Sequence, residues 1–151
     1  MKNELMNLNE YNLWGNKRCL DSLKSSDIID KKAEELLSHI IASQLIWLTR
    51  ITGKEFKLTG PWHTFNKNEL SNQIQLVFNE WHNYIFYLNE SELNTIISYT
   101  NTKGEKYSNG VYDIIMHISH HSAYHRGQIA SLVRAGGGTP AVTDYIAFKR
   151  E

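Results

Sequence analysis

The segment that decides the fold is HISHHSAYHRGQI, residues 117–129, which holds four histidines within nine residues. Apolar residues flank it at helical spacing, so it is predicted to lie in a helix with one buried face. His117, His121 and His125 are four residues apart. At about 3.6 residues per turn, they lie close to one line along that helix. Such a helix presents several imidazoles to one point.

Imidazoles one helical turn apart can bind the same metal ion, at roughly 2.0–2.1 Å each for zinc. The alternatives are a solvated polar stripe and histidines that form hydrogen bonds inside the core. The apolar flanks of the segment place it partly in the core, where an imidazole without a partner is costly. These rings therefore need hydrogen bonds or a metal ion.

The C-terminal third of the chain also resembles a known signature. It consists of His-x-x-Tyr-His-Arg-Gly-Gln-Ile at 121–129, Leu-Val-Arg-Ala-Gly at 132–136, and Pro140 with Asp-Tyr-Ile at 144–146. This pattern resembles the DinB/YfiT-like family of metal-binding four-helix-bundle proteins, which is named after a damage-inducible protein. The family pairs the signature with one upstream histidine on its second helix. His39, followed by Trp47 and Arg50, matches that position.

The resemblance implies a site of three histidine ligands, His39, His121 and His125, for one divalent metal ion. Without the resemblance, a lone His39 on an apolar helix is more often a core residue with a hydrogen-bond partner. Imidazole ligands suit several metals. Zinc and nickel are the first expectations, with iron and manganese as alternatives.

The other polar residues of the segment keep more than one interpretation. His117 is either a fourth ligand or a hydrogen-bond partner of a ligand. His120 points about 100° away from His121 and is expected at the surface or behind the ligands. Arg126 either binds an anionic substrate or forms a salt bridge with a neighbouring helix.

Composition limits the classes of function. The 151 residues suit one domain, residues 1–151. Sixteen basic and sixteen acidic residues give no net charge, so a nucleic-acid partner is not expected. The only cysteine, Cys19, excludes an internal disulfide and fits a reducing compartment. No apolar run reaches membrane-spanning length, so we expect a cytoplasmic protein without a membrane partner.

Helical periodicity recurs along the chain, and together the segments predict an all-α four-helix bundle with a long crossover connection. Residues 93–109 contain β-branched and aromatic residues around a turn, which favours a short β-hairpin between helices three and four. Gly15 marks either a close helix approach or a tolerated bend. The predicted helices run from about Leu5 to Leu23, from Asp30, after a turn at Ser25 to Asp27, to Thr52, from Lys67 to Asn89, and from after Gly110 to before Gly136.

Two functions follow from these expectations. One is a metal-dependent transferase or hydrolase in which the ion activates water or a low-molecular-weight thiol, because the family includes thiol-dependent S-transferases and isomerases. The other is a non-catalytic metal-binding stress-response protein, since no general base stands near the histidines and no catalytic residue can be named. The aromatic helical surfaces and the family both favour a homodimer.

Overall fold

The computed structural model describes residues 1–25 and 31–151. Part of the predicted turn, Ser26 and Asp27, and the predicted cap Asp30 lie outside the described residues. The element order within the described residues is α1 Lys2–Lys24, α2 Lys31–Thr52, α3 Leu70–Tyr87, a 3-10 helix Glu90–Asn94, β1 Ile96–Thr100, β2 Lys106–Gly110, α4 Val111–Ala135 and α5 Tyr145–Phe148.

The four long helices form a closed ring around one apolar core. Helix α2 packs against α4, α4 against α1, α1 against α3, and α3 against α2. Each contributes a stripe at three- and four-residue spacing, which is the pattern that buries one helix face. Leu37, Ile41, Ile74, Trp81 and Ile114 are at most 1% exposed at its centre. The predicted all-α bundle is therefore confirmed.

The connection from α3 to α4 crosses the bundle. Helix α3 is shorter than predicted, because Leu88 adopts an extended conformation and the Asn89 backbone N–H donates to the Glu92 carboxylate at 2.7 Å, where the 3-10 helix begins. Strands β1 and β2 then pair antiparallel, with Tyr99 opposite Tyr107. The predicted hairpin and crossover are both confirmed.

Helix α4 begins directly after Gly110 and ends directly before Gly136, at the predicted bounds. Its apolar residues Ile114, Ile115, Ile118, Ile129 and Val133 face the core. The histidines therefore lie on a helix whose orientation is set by packing on both α1 and α2.

The C-terminal segment folds back onto α1. The Tyr11 hydroxyl donates to the Thr143 carbonyl at 2.8 Å, and the Tyr11 ring meets the Tyr145 ring edge-on at 5.2 Å. Among the described residues, no helix is both long and apolar enough to cross a membrane.

Candidate metal centre

Two helices bring three histidines together. His39 lies in the middle of α2 among buried apolar residues and is 7% exposed. His121 and His125 lie one turn apart on α4, which packs directly against α2. The structure therefore gathers the three side chains that the sequence singled out.

The Nε2 atoms of these histidines converge. His121 Nε2 lies 3.2 Å from His39 Nε2 and 3.1 Å from His125 Nε2. The three ligand atoms all fall within 4.8 Å of one another, and the group can hold a metal ion. Nitrogen atoms at about 2.0–2.1 Å from one ion would lie about 3.3–3.4 Å apart in a tetrahedral shell and about 2.8–3.0 Å apart in an octahedral one. The two short distances fall between these values.

Two of the three histidines donate a hydrogen bond through Nδ1, the ring nitrogen that points away from the cluster. His39 Nδ1–H donates to the Pro61 carbonyl oxygen at 2.6 Å, and His125 Nδ1–H donates to Gln128 Oε1 at 2.7 Å. A proton on Nδ1 leaves Nε2 of a neutral imidazole as a bare lone pair. Metal-binding histidines are oriented by the same kind of contact.

Hydrogen bonding alone does not satisfy this cluster. With Nδ1–H on His39 and His125, only His121 Nε2 can carry a proton between the rings, and one proton points at only one of its two neighbours. The Nε2 lone pair of the other neighbour then faces a nitrogen that offers it no proton. A cation at the centre satisfies all three at once, so the residues present fit a metal ion.

Burial and neighbouring charges keep two of the three imidazoles, His39 and His121, neutral. Burial, followed by the neighbouring His125, His39 and His117 rings, lowers the pKa of His121 to about 3. Burial also lowers the pKa of His39, and the His125 and Lys32 charges add to this, against the opposing effect of its bond to Pro61. Both imidazoles are therefore unprotonated at neutral pH, as metal binding requires.

An aromatic residue covers one side of the cluster. The Trp62 indole stacks on the His39 ring with centroids 3.9 Å apart and planes 13° apart. The Lys32 ammonium lies 4.6 Å from the centre of the Trp62 ring. Because the indole covers one face of the His39 ring, it separates that face from bulk water. Trp62 itself is 54% exposed and is not part of the core.

The remaining histidines lie outside the cluster. His117 places its ring 5.4 Å from that of His121 but also meets the Trp47 ring edge-on at 5.5 Å. His120 is exposed, and its Nδ1–H donates to the Met116 carbonyl of its own helix at 2.8 Å. His63 contacts Thr59 within its own loop. His82 is half-buried, and its Nδ1 has no hydrogen-bond partner within the described chain.

Arg126 follows neither interpretation drawn from the sequence. It is completely buried, and its Nη1 donates to Asn12 Oδ1 at 3.3 Å and Asn16 Oδ1 at 3.2 Å. Its guanidinium also lies 4.7 Å from the centre of the Tyr11 ring. Arg126 therefore joins α4 to α1 through amides instead of a salt bridge, directly after His125.

The orienting roles of two residues were not predicted from the sequence. Gln128 is three residues after His125 and thus on the same face of α4, a spacing that could have identified it. Pro61 contributes a backbone carbonyl from a loop 22 residues away from His39, and its residue type carries no signal for that contact.

A bundle that gathers imidazoles from two facing helices falls into the class of helical proteins able to hold a metal ion in the core. The chain belongs to the DinB family, whose profile matches residues 1–151. It is similar to Protein DinB of Bacillus subtilis (strain 168), with 26% identity over an alignment that covers 91% of this chain and 89% of that protein. The predicted family is thereby confirmed.

Proposed function

We propose that the protein binds one divalent metal ion through the Nε2 atoms of His39, His121 and His125. The observation that carries the proposal is the convergence of three Nε2 atoms, of which two belong to rings whose Nδ1–H groups are already engaged. Three imidazoles suit zinc or nickel, and iron or manganese are the alternatives.

Three protein ligands leave at least one coordination position open, as in sites that perform chemistry. When bound, a divalent ion of this kind lowers the pKa of a water molecule or thiol that reaches the open position. We therefore propose a metal-dependent transferase or hydrolase that uses a small molecule or low-molecular-weight thiol. The chain contributes the shape of the site: Trp62 covers one side, while Pro61 and Gln128 fix the two outer rings.

A second function is supported by a separate observation. His39 and His121 are 82 residues apart in sequence, and His39 is also bonded to the 60–63 loop. An ion there would tie α2, α4 and this loop together. The described residues also place no carboxylate within the histidine group as a base. A non-catalytic metal-binding role in stress response is therefore the alternative.

Metal titration of purified variants tests the metal site. His39→Ala, His121→Ala and His125→Ala should each strongly weaken zinc binding, because two imidazoles hold an ion far less well than three. His120→Ala is the matched control, since this exposed residue bonds only its own helix. Full stoichiometry with unchanged affinity in His121→Ala would show that the ligands are misassigned.

A second assay separates the two functions. The metal-loaded protein is tested for turnover of electrophiles with several low-molecular-weight thiols, and for hydrolysis of activated esters. Turnover that disappears in His125→Ala but persists in His120→Ala supports the enzyme. No turnover across a broad panel, combined with full metal occupancy, favours the non-catalytic protein.

A further inference from the structure

A cavity next to the histidine cluster has features of a binding site. It has a volume of about 190 Å³ and lies between the end of α2, strand β1 and the first two turns of α4. His117 lines it, and the His117 ring is 5.4 Å from the His121 ring. Only the His117 ring would separate a molecule in this cavity from His121, a proposed metal ligand.

The walls of the cavity are aromatic, and a cation lies against them. Trp47 and Tyr99 meet edge-on, with centroids 4.8 Å apart. The Arg50 guanidinium lies in the corner between these rings, 4.4 Å from the Trp47 centroid and 4.5 Å from that of Tyr99. Arg50 thus contacts two of the residues that line the cavity.

Arg50 lacks an anionic partner. It is half-buried, and burial lowers its pKa, against the effect of Tyr99. Within the described part of the chain, it forms no salt bridge and no side-chain hydrogen bond; its contacts are with the two rings. A partly desolvated guanidinium normally pairs with a carboxylate or phosphate, whose two oxygens match its fork of donors. Two ring contacts leave that capacity unused.

A solvent-exposed carboxylate lines the same cavity. Asp113 lies in the first turn of α4, and among the described residues neither Arg50 nor another cation pairs with it. The helix N-terminus favours an acidic residue at this position. That preference explains neither the unpaired Arg50 on the aromatic rings nor the cavity that these rings line. Asn109 adds a polar group, since its Oδ1 accepts from the Tyr99 hydroxyl at 2.8 Å and its amide donors remain available.

We propose that this cavity binds the zwitterionic end of a small α-amino-acid-type molecule, with Arg50 contacting the carboxylate and Asp113 the ammonium group. An apolar cavity of about 150 Å³ holds benzene, so the cavity has room for roughly six to nine non-hydrogen atoms. If the proposed metal site is catalytic, this molecule is placed to be its substrate, and that step rests on the proposed function. The binding itself does not depend on the metal site.

The test uses L-valine as the probe and the full chain labelled with ¹⁵N. L-valine should shift the Trp47 indole and Asn109 side-chain amide signals in a saturable manner. Two analogues each lack one charge: 3-methylbutanoate has no ammonium group, and 2-methylpropylamine has no carboxylate. Each should bind about tenfold more weakly or worse, since each loses one charge-assisted contact.

Variants assign the two charges. Arg50→Met and Asp113→Asn should each weaken L-valine binding about tenfold or more, while Arg50→Lys should retain part of it. Arg134→Met and Asp21→Asn remove exposed charges elsewhere and should leave binding unchanged. Equal binding of either analogue, unchanged binding in both pocket variants, or no shift at Trp47 and Asn109 overturns the proposal.

The same titration separates this proposal from the metal site. L-valine can itself chelate a metal ion. The L-valine titration is therefore repeated on three samples: metal-loaded wild type, wild type stripped of metal with chelator, and His121→Ala. Shifts at Trp47 and Asn109 that persist in stripped wild type and in His121→Ala support binding in the cavity, whether or not the metal assignment holds. Shifts that occur only in metal-loaded wild type show chelation instead, and they overturn the cavity proposal while leaving the metal site intact.

Discussion

Gly15 should not tolerate a methyl group, although it lies inside a helix. An alanine Cβ at this position would lie 2.7 Å from Arg126 Nε and 2.9 Å from its Cζ. Arg126 cannot move away freely, because it is fully buried and bonded to Asn12 and Asn16. The glycine therefore allows the close approach of α1 and α4, one of the two interpretations that the sequence left open.

The expected cost follows from three contributions. Alanine gains about 1 kcal/mol over glycine inside a helix. Overpacking a core costs about 1–3 kcal/mol. Displacing the guanidinium forfeits hydrogen bonds of a charged group, worth about 1.5–3 kcal/mol. Gly15→Ala should therefore lower the free energy of unfolding by about 1.5–5 kcal/mol.

Urea unfolding followed by circular dichroism measures this change. Gly127→Ala is the matched control, because Gly127 lies in α4 next to Arg126, and a Cβ there would meet no atom within 4 Å. That variant should gain up to about 1 kcal/mol. In an Arg126→Met background, the cost of Gly15→Ala should shrink, since the clashing group is gone. If Gly15→Ala stabilises the protein as much as Gly127→Ala does, the close contact with Arg126 is wrong.

Three further predictions concern the metal, its support and assembly. Because the folded-state pKa of His121 is lowered to about 3, the unfolded chain takes up protons first as pH falls below about 6.5, so stability and metal are both lost on acidification. Melting with and without chelator near pH 7.5 and near pH 5 should show a larger chelator effect at the higher pH, and equal effects would contradict histidine ligation. Gln128→Leu should weaken metal binding about 10- to 100-fold by releasing His125 Nδ1, with Gln75→Leu on α3 as the control in the same titration, and unchanged affinity would remove that role. Light scattering at micromolar concentration should give a dimer, and a mass of 17.5 kDa would exclude it.

Helix α4 was predictable because the sequence marks both of its ends clearly. Glycines stand at both ends, and the apolar face repeats at helical spacing between them. The same spacing aligned His121 with His125. It also suggested His117, but successive i, i+4 positions drift by about 40° around a helix, so His117 lies about 80° away from His125. The structure accordingly directs its ring toward Trp47.

His39 and the cover of the site show where sequence reasoning ends. A lone histidine on an apolar helix has no spaced partner, so only the family resemblance selected it. Trp62 reaches His39 through a loop whose conformation is not encoded in any short repeat. The hydrogen bonds from Arg126 to the two asparagines of α1 join residues at least 110 positions apart in sequence. Only the packing of the bundle brings them together.

The metal site is tested most directly by a crystal structure of the protein purified without chelator, with anomalous data collected at the absorption edge of the metal found by elemental analysis. Metal binding predicts a single peak per chain about 2.0–2.2 Å from the Nε2 atoms of His39, His121 and His125. Stoichiometric metal bound elsewhere, with no peak among these three atoms, would contradict it.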